Sequence, residues 1–371
     1  MSAVNFEERK IRTVIITLTN SCNLSCSYCY EEFKHSGSMS FDVAYEIISR
    51  ELNKPGDFDL ILLDFFGGEP FLQFKLITRI VASVKARVWK NDYLFHADTN
   101  GTLVHGEIRE WLIANSDCFV CGLSYDGTKE MQNVNRSNSA DMIDLDFFLK
   151  QYCNEGIKMT VSPETLSMFG EGVLYLHSKG AEVSCNLAYG VDWSAGLLEE
   201  TLENELTKLI DFYVEHPEIT PCSMLNMEID AVAFGTEKMF RYCGCGIEMV
   251  AYDIDGKPYP CHLFMPLSAG VIKAAKVSEL TFHEGEIPIE YIEEKCRGCV
   301  IKSVCPTCYG SNYITFGDIN RHDDQYCKLT KIIIKARSYF KGRQWELGQL
   351  QLSNEDEKVL LRSIITIQDN L

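Results

Sequence analysis

Residues 22–30 read CNLSCSYCY, with Cys22, Cys26 and Cys29 in a C-x3-C-x2-C spacing directly after an apolar stretch from Thr13 to Leu18. A strand feeding so short a loop can aim three thiolates at three corners of a [4Fe–4S] cube. The fourth iron then has no ligand from the run. Open positions on catalytic metals are where substrates and cofactors bind. An electron carrier closes that corner with a fourth cysteine, so the spacing points to chemistry at an exposed iron.

The rest of the composition fits metal ligation. Sixteen cysteines in a chain whose polar, acidic opening (MSAVNFEERK) lacks the apolar core of a signal peptide read as metal ligands rather than disulfides. They cluster: three lie in 22–29, eight between Cys243 and Cys327, and five are scattered. Cys118 and Cys121 are expected as packed core thiols, and Cys153, Cys185 and Cys222 as small buried hydrophobes. No apolar stretch reaches the roughly 18–20 residues that a membrane helix requires, and a cytoplasmic chain is expected, with no membrane partner. Lys+Arg of 35 against Asp+Glu of 53 gives a net charge of −18, a poor surface for phosphate backbones, which argues against nucleic acid.

Short β-branched runs alternate with helical patterns from about residue 12 to about 220. Strands are predicted at 13–19, 60–66, 92–99, 119–125, 157–163 and 182–188. Helices are predicted at 41–53, 72–88, 105–115, 142–154, 167–179 and 197–214. Six such repeats imply an α/β fold, a parallel sheet covered by helices. Gly67-Gly68-Glu69-Pro70 follows the second strand, Thr99-Asn100-Gly101-Thr102-Leu103 the third, and Ser124-Tyr125-Asp126-Gly127 the fourth. Parallel α/β sheets and barrels carry their chemistry at these carboxyl ends. Further along, a hairpin with its turn at Asp255-Gly256 is expected over 247–260, after a helix-compatible run from Leu225 to Phe240. Two helices, 328–345 and about 354–368, close the chain. Val359, Leu360, Ile364 and Ile367 form an apolar stripe that reads as a cap on the core rather than a partner-binding face.

With these motifs the chain resembles the radical S-adenosylmethionine (SAM) enzymes, whose C-x3-C-x2-C carries an aromatic residue, here Tyr28, before the last cysteine. The resemblance implies a partial (β/α)6 TIM-type barrel. It implies that SAM chelates the open iron and is cleaved to methionine and a 5′-deoxyadenosyl radical that abstracts a hydrogen atom. On the same grounds Tyr28 lies by the adenine and Ser124 by the ribose. Gly67 and Gly68 of the GGEP segment approach the methionine group, and Arg136, in the matching NVNR run, meets the carboxylate by a bidentate fork. Glu69 is expected to orient the GGEP loop by a salt bridge, and Asn100 either bonds near the cofactor or caps its own turn.

The second cysteine array reads C-x12-G-x4-C from Cys243 to Cys261 and C-x2-C-x5-C-x2-C from Cys296 to Cys308, with Cys327 beyond. C-x2-C pairs also suit a zinc ribbon. The array resembles the SPASM extension of peptide-modifying radical SAM enzymes, which implies two auxiliary [4Fe–4S] clusters, three in all. Cys296, Cys299, Cys305 and Cys327 would hold the outer one, and Cys243, Cys261 and Cys308 the inner one. Its fourth ligand is either Cys245 or an open iron that binds a substrate thiolate. The usual final spacing is C-x3-C, and Cys305-Pro306-Thr307-Cys308 is one residue shorter.

The expected layout is therefore a radical SAM barrel (10–225), a loop-rich SPASM domain (226–330) and C-terminal helices (331–371). Relatives that oxidise Cys or Ser to formylglycine carry an aspartate base directly after the cysteine at 261. Here His262 stands there, able to accept a proton or to serve behind the cluster. The CGCGIE…GKPYPCHLF segment resembles maturases that crosslink ribosomal peptides, for example by thioethers. That reading implies a peptide or protein substrate and an electron donor such as flavodoxin or ferredoxin. Many such maturases carry a leader-binding domain of ~80 residues before the cluster loop, whereas 21 residues precede Cys22. A separate leader-binding protein or the barrel mouth would then present the substrate. Formylglycine formation is the second reading and a non-catalytic iron–sulfur electron carrier the third.

Overall fold

The computed structural model describes residues 10–56, 58–235, 239 and 243–371. In chain order its main elements are β1 (Ile11–Thr19), α1 (Phe41–Leu52), β2 (Leu60–Gly67), α2 (Phe74–Lys85), β3 (Tyr93–Thr99), α3 (Gly106–Ala114), β4 (Phe119–Leu123), α4 (Lys129–Asn135), α5 (Leu145–Gln151), β5 (Ile157–Val161), α6 (Phe169–Ser178), β6 (Val183–Leu187), α7 (Leu198–Glu215), β7 (Met249–Tyr252), β8 (Pro258–Tyr259), α8 (Pro266–Ala275), α9 (Glu294–Arg297), α10 (Tyr309–Phe316), α11 (Asp324–Glu346) and α12 (Asn354–Asn370). The six expected strands and the helices between them are present, and α4 is a helix that the periodicity did not reveal. Among the described residues no helix is long and apolar enough to cross a membrane.

Two compact units emerge. The first gathers residues 1–125, 132–158 and 244–282; the second gathers 126–131, 159–243 and 283–371. They cut across the sequential boundaries at 225 and 330. In the first unit β1, β2, β3 and β4 pair in parallel, in the order β4-β3-β2-β1; β1 is buried along most of its length, while β2 and β3 alternate buried and half-buried residues. Within this unit Ser124 forms an isolated parallel bridge with Lys158, and β5 and β6 form a two-stranded sheet. The expected hairpin exists as β7 and β8, and β7 pairs in parallel with the other edge of β1. A buried triad holds it there: Arg12 Nε donates to Glu51 Oε2 at 2.8 Å and Tyr252 Oη donates to Glu51 Oε1 at 2.6 Å.

The second unit has its own apolar core, in which Ile229, Val232, Ile301, Val304 and Ile334 pack against Leu360 and Ile367 of α12. The last helix is thus a cap on this core. Ser353 accepts from Asp356 N, and Glu355, Asp356 and Glu357 fill its first turn, where the helix dipole favours negative charge. The run from Leu225 to Phe240 contains only a 3-10 turn at Asp230–Phe234, and residues 236–238 and 240 lie outside the described residues. Cys185 and Cys222 are buried, but Cys153 is exposed, because it sits in the turn after α5 rather than on a packed face.

Replacing Leu360 by Ala should lower unfolding free energy by about 2–5 kcal/mol, the range for emptying a leucine site in a packed core. Chemical denaturation of the two chains side by side would measure it.

Candidate active site

The cysteine loop leaves β1 at Thr19 and is clamped from several sides. Asn20 N donates to Gly37 O at 3.1 Å, Ser25 N to Ser137 Oγ at 2.9 Å, and Ser27 N to Asn135 O at 2.9 Å. Ser137 and Asn138 both hold positive φ, 55° and 54°, an uncommon conformation for non-glycine residues. Within the loop Cys29 N donates to Cys26 O at 3.2 Å and Leu24 N points at Cys22 Sγ at 3.4 Å. Lys34 Nζ donates to Cys29 Sγ at 2.8 Å. Burial pushes the Cys22 thiol up, so a thiolate there needs positive charge beside it, which a metal centre supplies. Three partly buried thiols on one pinned turn, with donors aimed at two of the sulfurs, fit a three-cysteine cluster site.

The GGEP segment docks on this loop. Gly68 N donates to Thr19 O and Glu69 N to Ser21 O, at 3.2 and 3.0 Å. A Cβ on Gly67, whose φ is +138°, would stand 2.1 Å from Thr19 O. One on Gly68 would stand 2.4 Å from Ser21 O and 2.8 Å from the Cys22 Cβ. The close approach that these glycines permit is therefore to the cluster loop itself. Glu69 is buried and accepts from Phe71 N at 3.1 Å, Thr99 Oγ1 at 2.8 Å and Asn100 N at 2.9 Å. It orients the loop through these neutral donors, not through the expected salt bridge, and burial pushes its carboxyl up to about 7. Asn100 caps its own turn and also reaches the cysteine loop. Its Oδ1 accepts from Thr102 N at 3.0 Å, while its Nδ2 donates to Asn23 Oδ1 in the cluster loop at 2.9 Å. The Arg136 guanidinium lies over the Tyr28 ring at 5.4 Å, and Ser124 N bonds Thr99 O at 2.9 Å. Tyr28, Gly67, Gly68, Glu69, Asn100, Ser124 and Arg136 thus all belong to the segments at the carboxyl ends of β1 to β4 or to the clamp around the first of them.

His262 lies in the same unit, its ring 4.7 Å from Phe66 and 5.5 Å from Tyr30, its Nδ1 buried with no hydrogen-bond partner. Burial pulls its pKa down to about 4, so the imidazole is neutral near pH 7. Sequence reasoning missed several charged neighbours. Glu31 is buried and pushed up to about 7 by that burial. Asp64, His96, Asp98 and Lys158 stand on the strands themselves, looking in the sequence like ordinary polar alternation.

In the second unit Cys296, Cys299, Cys305, Cys308 and Cys327 all line one cavity of about 200 Å³, with Tyr189 and Tyr326 stacked on its wall at 4.6 Å. Burial pushes Cys296 up to about 11 and Cys305 up to about 12. Neutral thiols in such a place ionise only for a cationic centre. His322, which the sequence did not single out, has Nδ1 3.6 Å from Cys296 Sγ and 3.3 Å from Glu293 Oε2. Cys308 also caps α10, accepting from Ser311 N at 3.5 Å. Of the remaining predicted ligands, Cys245 and Cys261 are buried in the first unit, where Gly246 N donates to Pro260 O at 3.1 Å across the hairpin. Cys243 is exposed and falls in the second unit.

Residues 11–143 match a family described as a 4Fe-4S single cluster domain. An uncharacterised Methanocaldococcus jannaschii protein is 32% identical over 179 residues, 46% of this chain, and the chain spans 60% of that relative's length. A cysteine-type anaerobic sulfatase-maturating enzyme of Clostridium perfringens is 32% identical over 141 residues, 36% of either chain. The solved structure of native anSMEcpe with bound AdoMet and Kp18Cys peptide superposes with a TM-score of 0.65 at 19% identity, covering 92% of this chain and 100% of that one. The chain thus shares its fold with these maturases, and residues 11–143 are similar to a 4Fe-4S single cluster domain.

Gly68→Ala should displace Cys22 and lower iron bound at the first site, read as fewer iron atoms per chain with the second array intact. Glu69 generates a pH signature. Its unfolded carboxyl titrates near 4.5 and its folded one near 7, so its contribution is complete below pH 4.5 and is lost as pH rises through 7. The loss is roughly 3 kcal/mol at 1.36 kcal/mol per pKa unit. Denaturation between pH 4.5 and 7.5 should show that decline in the metal-free chain and a flatter profile in Glu69→Gln.

Proposed function

We propose that this chain is a radical SAM maturase that modifies a side chain of a peptide or protein. The observation that carries this reading is the clamp on the CNLSCSYCY loop: three thiols held by Gly67, Gly68, Asn100 and the Arg136–Tyr28 pair at the carboxyl ends of parallel strands. Cys22, Cys26 and Cys29 would hold a [4Fe–4S] cluster. Arg136 would receive the SAM carboxylate, Ser124 the ribose, and Tyr28 the adenine. When bound, that pair of cofactors supplies a 5′-deoxyadenosyl radical that removes a hydrogen atom from the substrate. The chain's own part is to fix the cofactor's orientation and exclude water.

The five-cysteine cavity supports an auxiliary cluster over a zinc ribbon. Five thiols gather there, one more than the four ligands a structural zinc takes, and their order resembles the SPASM extension. Cys296, Cys299, Cys305 and Cys327 would hold the outer cluster. Bound there, such a cluster would supply an acceptor for the electron left after hydrogen-atom removal, and flavodoxin or ferredoxin would be the donor for the first site.

For the bond made, we favour an oxidative crosslink such as a thioether, in line with the CGCGIE…GKPYPCHLF segment and with neutral His262 in place of an aspartate base. The similarity to the C. perfringens sulfatase-maturating enzyme favours a second reading, oxidation of Cys or Ser to formylglycine.

Reduced, cluster-reconstituted protein incubated with SAM should release 5′-deoxyadenosine; none at full cluster loading would leave only an iron–sulfur carrier. Cys26→Ala should abolish that release and keep the iron of the second array. A Cys-containing sulfatase-type peptide separates the two bond-making readings by mass: formylglycine formation removes its sulfur, while a crosslink keeps the sulfur and removes two hydrogens.

A further inference from the structure

The strands of an all-parallel sheet normally read as apolar runs, yet one face of this sheet carries four ionisable side chains. The strand register sets them side by side. Asp64 of β2 is the partner of His96 of β3, and two residues on, Asp98 is the partner of Gly122 of β4. The bridge between Ser124 and Lys158 brings in the fourth. His96 Nδ1 bonds Asp64 Oδ1 at 2.7 Å, His96 Nε2 lies 3.7 Å from Asp98 Oδ1, and Lys158 Nζ donates to Asp98 Oδ2. Gly122 is what admits the carboxylate, since a Cβ there would stand 2.3 Å from Asp98 Oδ1.

The row alternates acidic and basic residues, and its two ends differ. Asp64 and His96 are well covered, at 16% and 13% side-chain exposure, whereas Asp98 and Lys158 remain 30% and 46% exposed. Asp98 immediately precedes Thr99 and Asn100, which bind Glu69, so this open end lies at the edge where the cofactor segments gather. Charges placed on an inner face cost stability unless they are paired and used. Neighbouring Lys158 and His96 offset the burial of Asp98 and hold its carboxyl below the usual range. What remains presented is an anionic acceptor beside a cationic donor, with no net charge to attract a charged side chain. The ligand that matches is a main-chain amide segment, which offers an N–H and a C=O together.

We propose that Asp98 and Lys158 form a clamp for the main chain of a peptide substrate, Asp98 accepting a backbone N–H and Lys158 donating to a backbone C=O, with Asp64 and His96 as positioning residues behind them. The inference rests on the maturase reading for its substrate class. It implies that residues flanking the modified one are read through their backbone more than their side chains.

The test is direct binding of a fluorescein-labelled, Cys-containing sulfatase-type peptide to the cluster-loaded, SAM-bound protein, read by anisotropy. Losing a charge-assisted hydrogen bond weakens binding by about 10- to 100-fold. Asp98→Asn and Lys158→Met should each raise Kd by that factor, and Lys158→Arg by less than about threefold, with iron content equal to wild type in all. N-methylation of the amide at the modified residue should weaken wild-type binding to the same extent and add nothing to Asp98→Asn. Unchanged Kd in Asp98→Asn and Lys158→Met, or a wild-type protein that does not bind the peptide, overturns the clamp. A wild-type protein that binds the peptide but never releases 5′-deoxyadenosine overturns the maturase reading and leaves the clamp standing.

Discussion

The end of β2 can reach the cysteine loop only because two successive residues lack side chains. Any Cβ at Gly67 or Gly68 would overlap the carbonyl oxygens of Thr19 and Ser21, and those carbonyls are the acceptors that dock the segment. From that contact follow the position of Glu69, through it the ends of β3 at Thr99 and Asn100, and through Asn100 a return bond to Asn23. The circuit closes on the cysteine loop from which it began. Each bond is worth little alone, but a buried carboxylate left without its three donors would be costly, so the members stand or fall together.

The electrostatic character of the two units differs. In the first, charge is arranged beforehand: Lys34 faces Cys29, and acidic and basic residues alternate from Asp64 to Lys158. In the second, the cavity holds thiols whose burial favours the neutral form, with His322 and Glu293 at its margin. A centre bound there must supply the positive charge itself, which couples its binding to the stability of the surrounding loops. In this unit α10 buries Tyr309 and Tyr313, and Ile301 and Val304 pack into the core capped by α12.

Much of the fold was legible because its signals are local. Six β-branched runs, each followed by a helical period, are short-range facts, and the motifs after them mark strand ends by glycine and turn chemistry. The C-x3-C-x2-C and C-x2-C spacings are local signals of the same kind. What escaped depends on partners distant in sequence. Nothing near Met249–Tyr252 tells that β7 pairs with β1, since the anchor is Tyr252 on Glu51, about two hundred residues away. Glu69 was expected to find a cation, yet its partners are backbone and hydroxyl donors from β3. Cys153 was expected inside because its neighbours are apolar, but a turn after α5 points it outward. Asp98 and Lys158 looked like solvent-facing alternation, and only the parallel register turns them into neighbours.

The interleaving of the two units bears on how this architecture can be taken apart. A cassette exchange at residue 225 would remove β7 together with the cysteine-rich half and strip β1 of its partner along Thr13 to Ile16. A central, largely buried strand would then become an open edge, the kind of surface that recruits other chains into aggregates. Grafting at the seams of the tertiary structure, with the segment 244–282 left attached to the barrel strands, avoids that hazard, and a protein engineer swapping the cysteine-rich extension between relatives would do well to cut there.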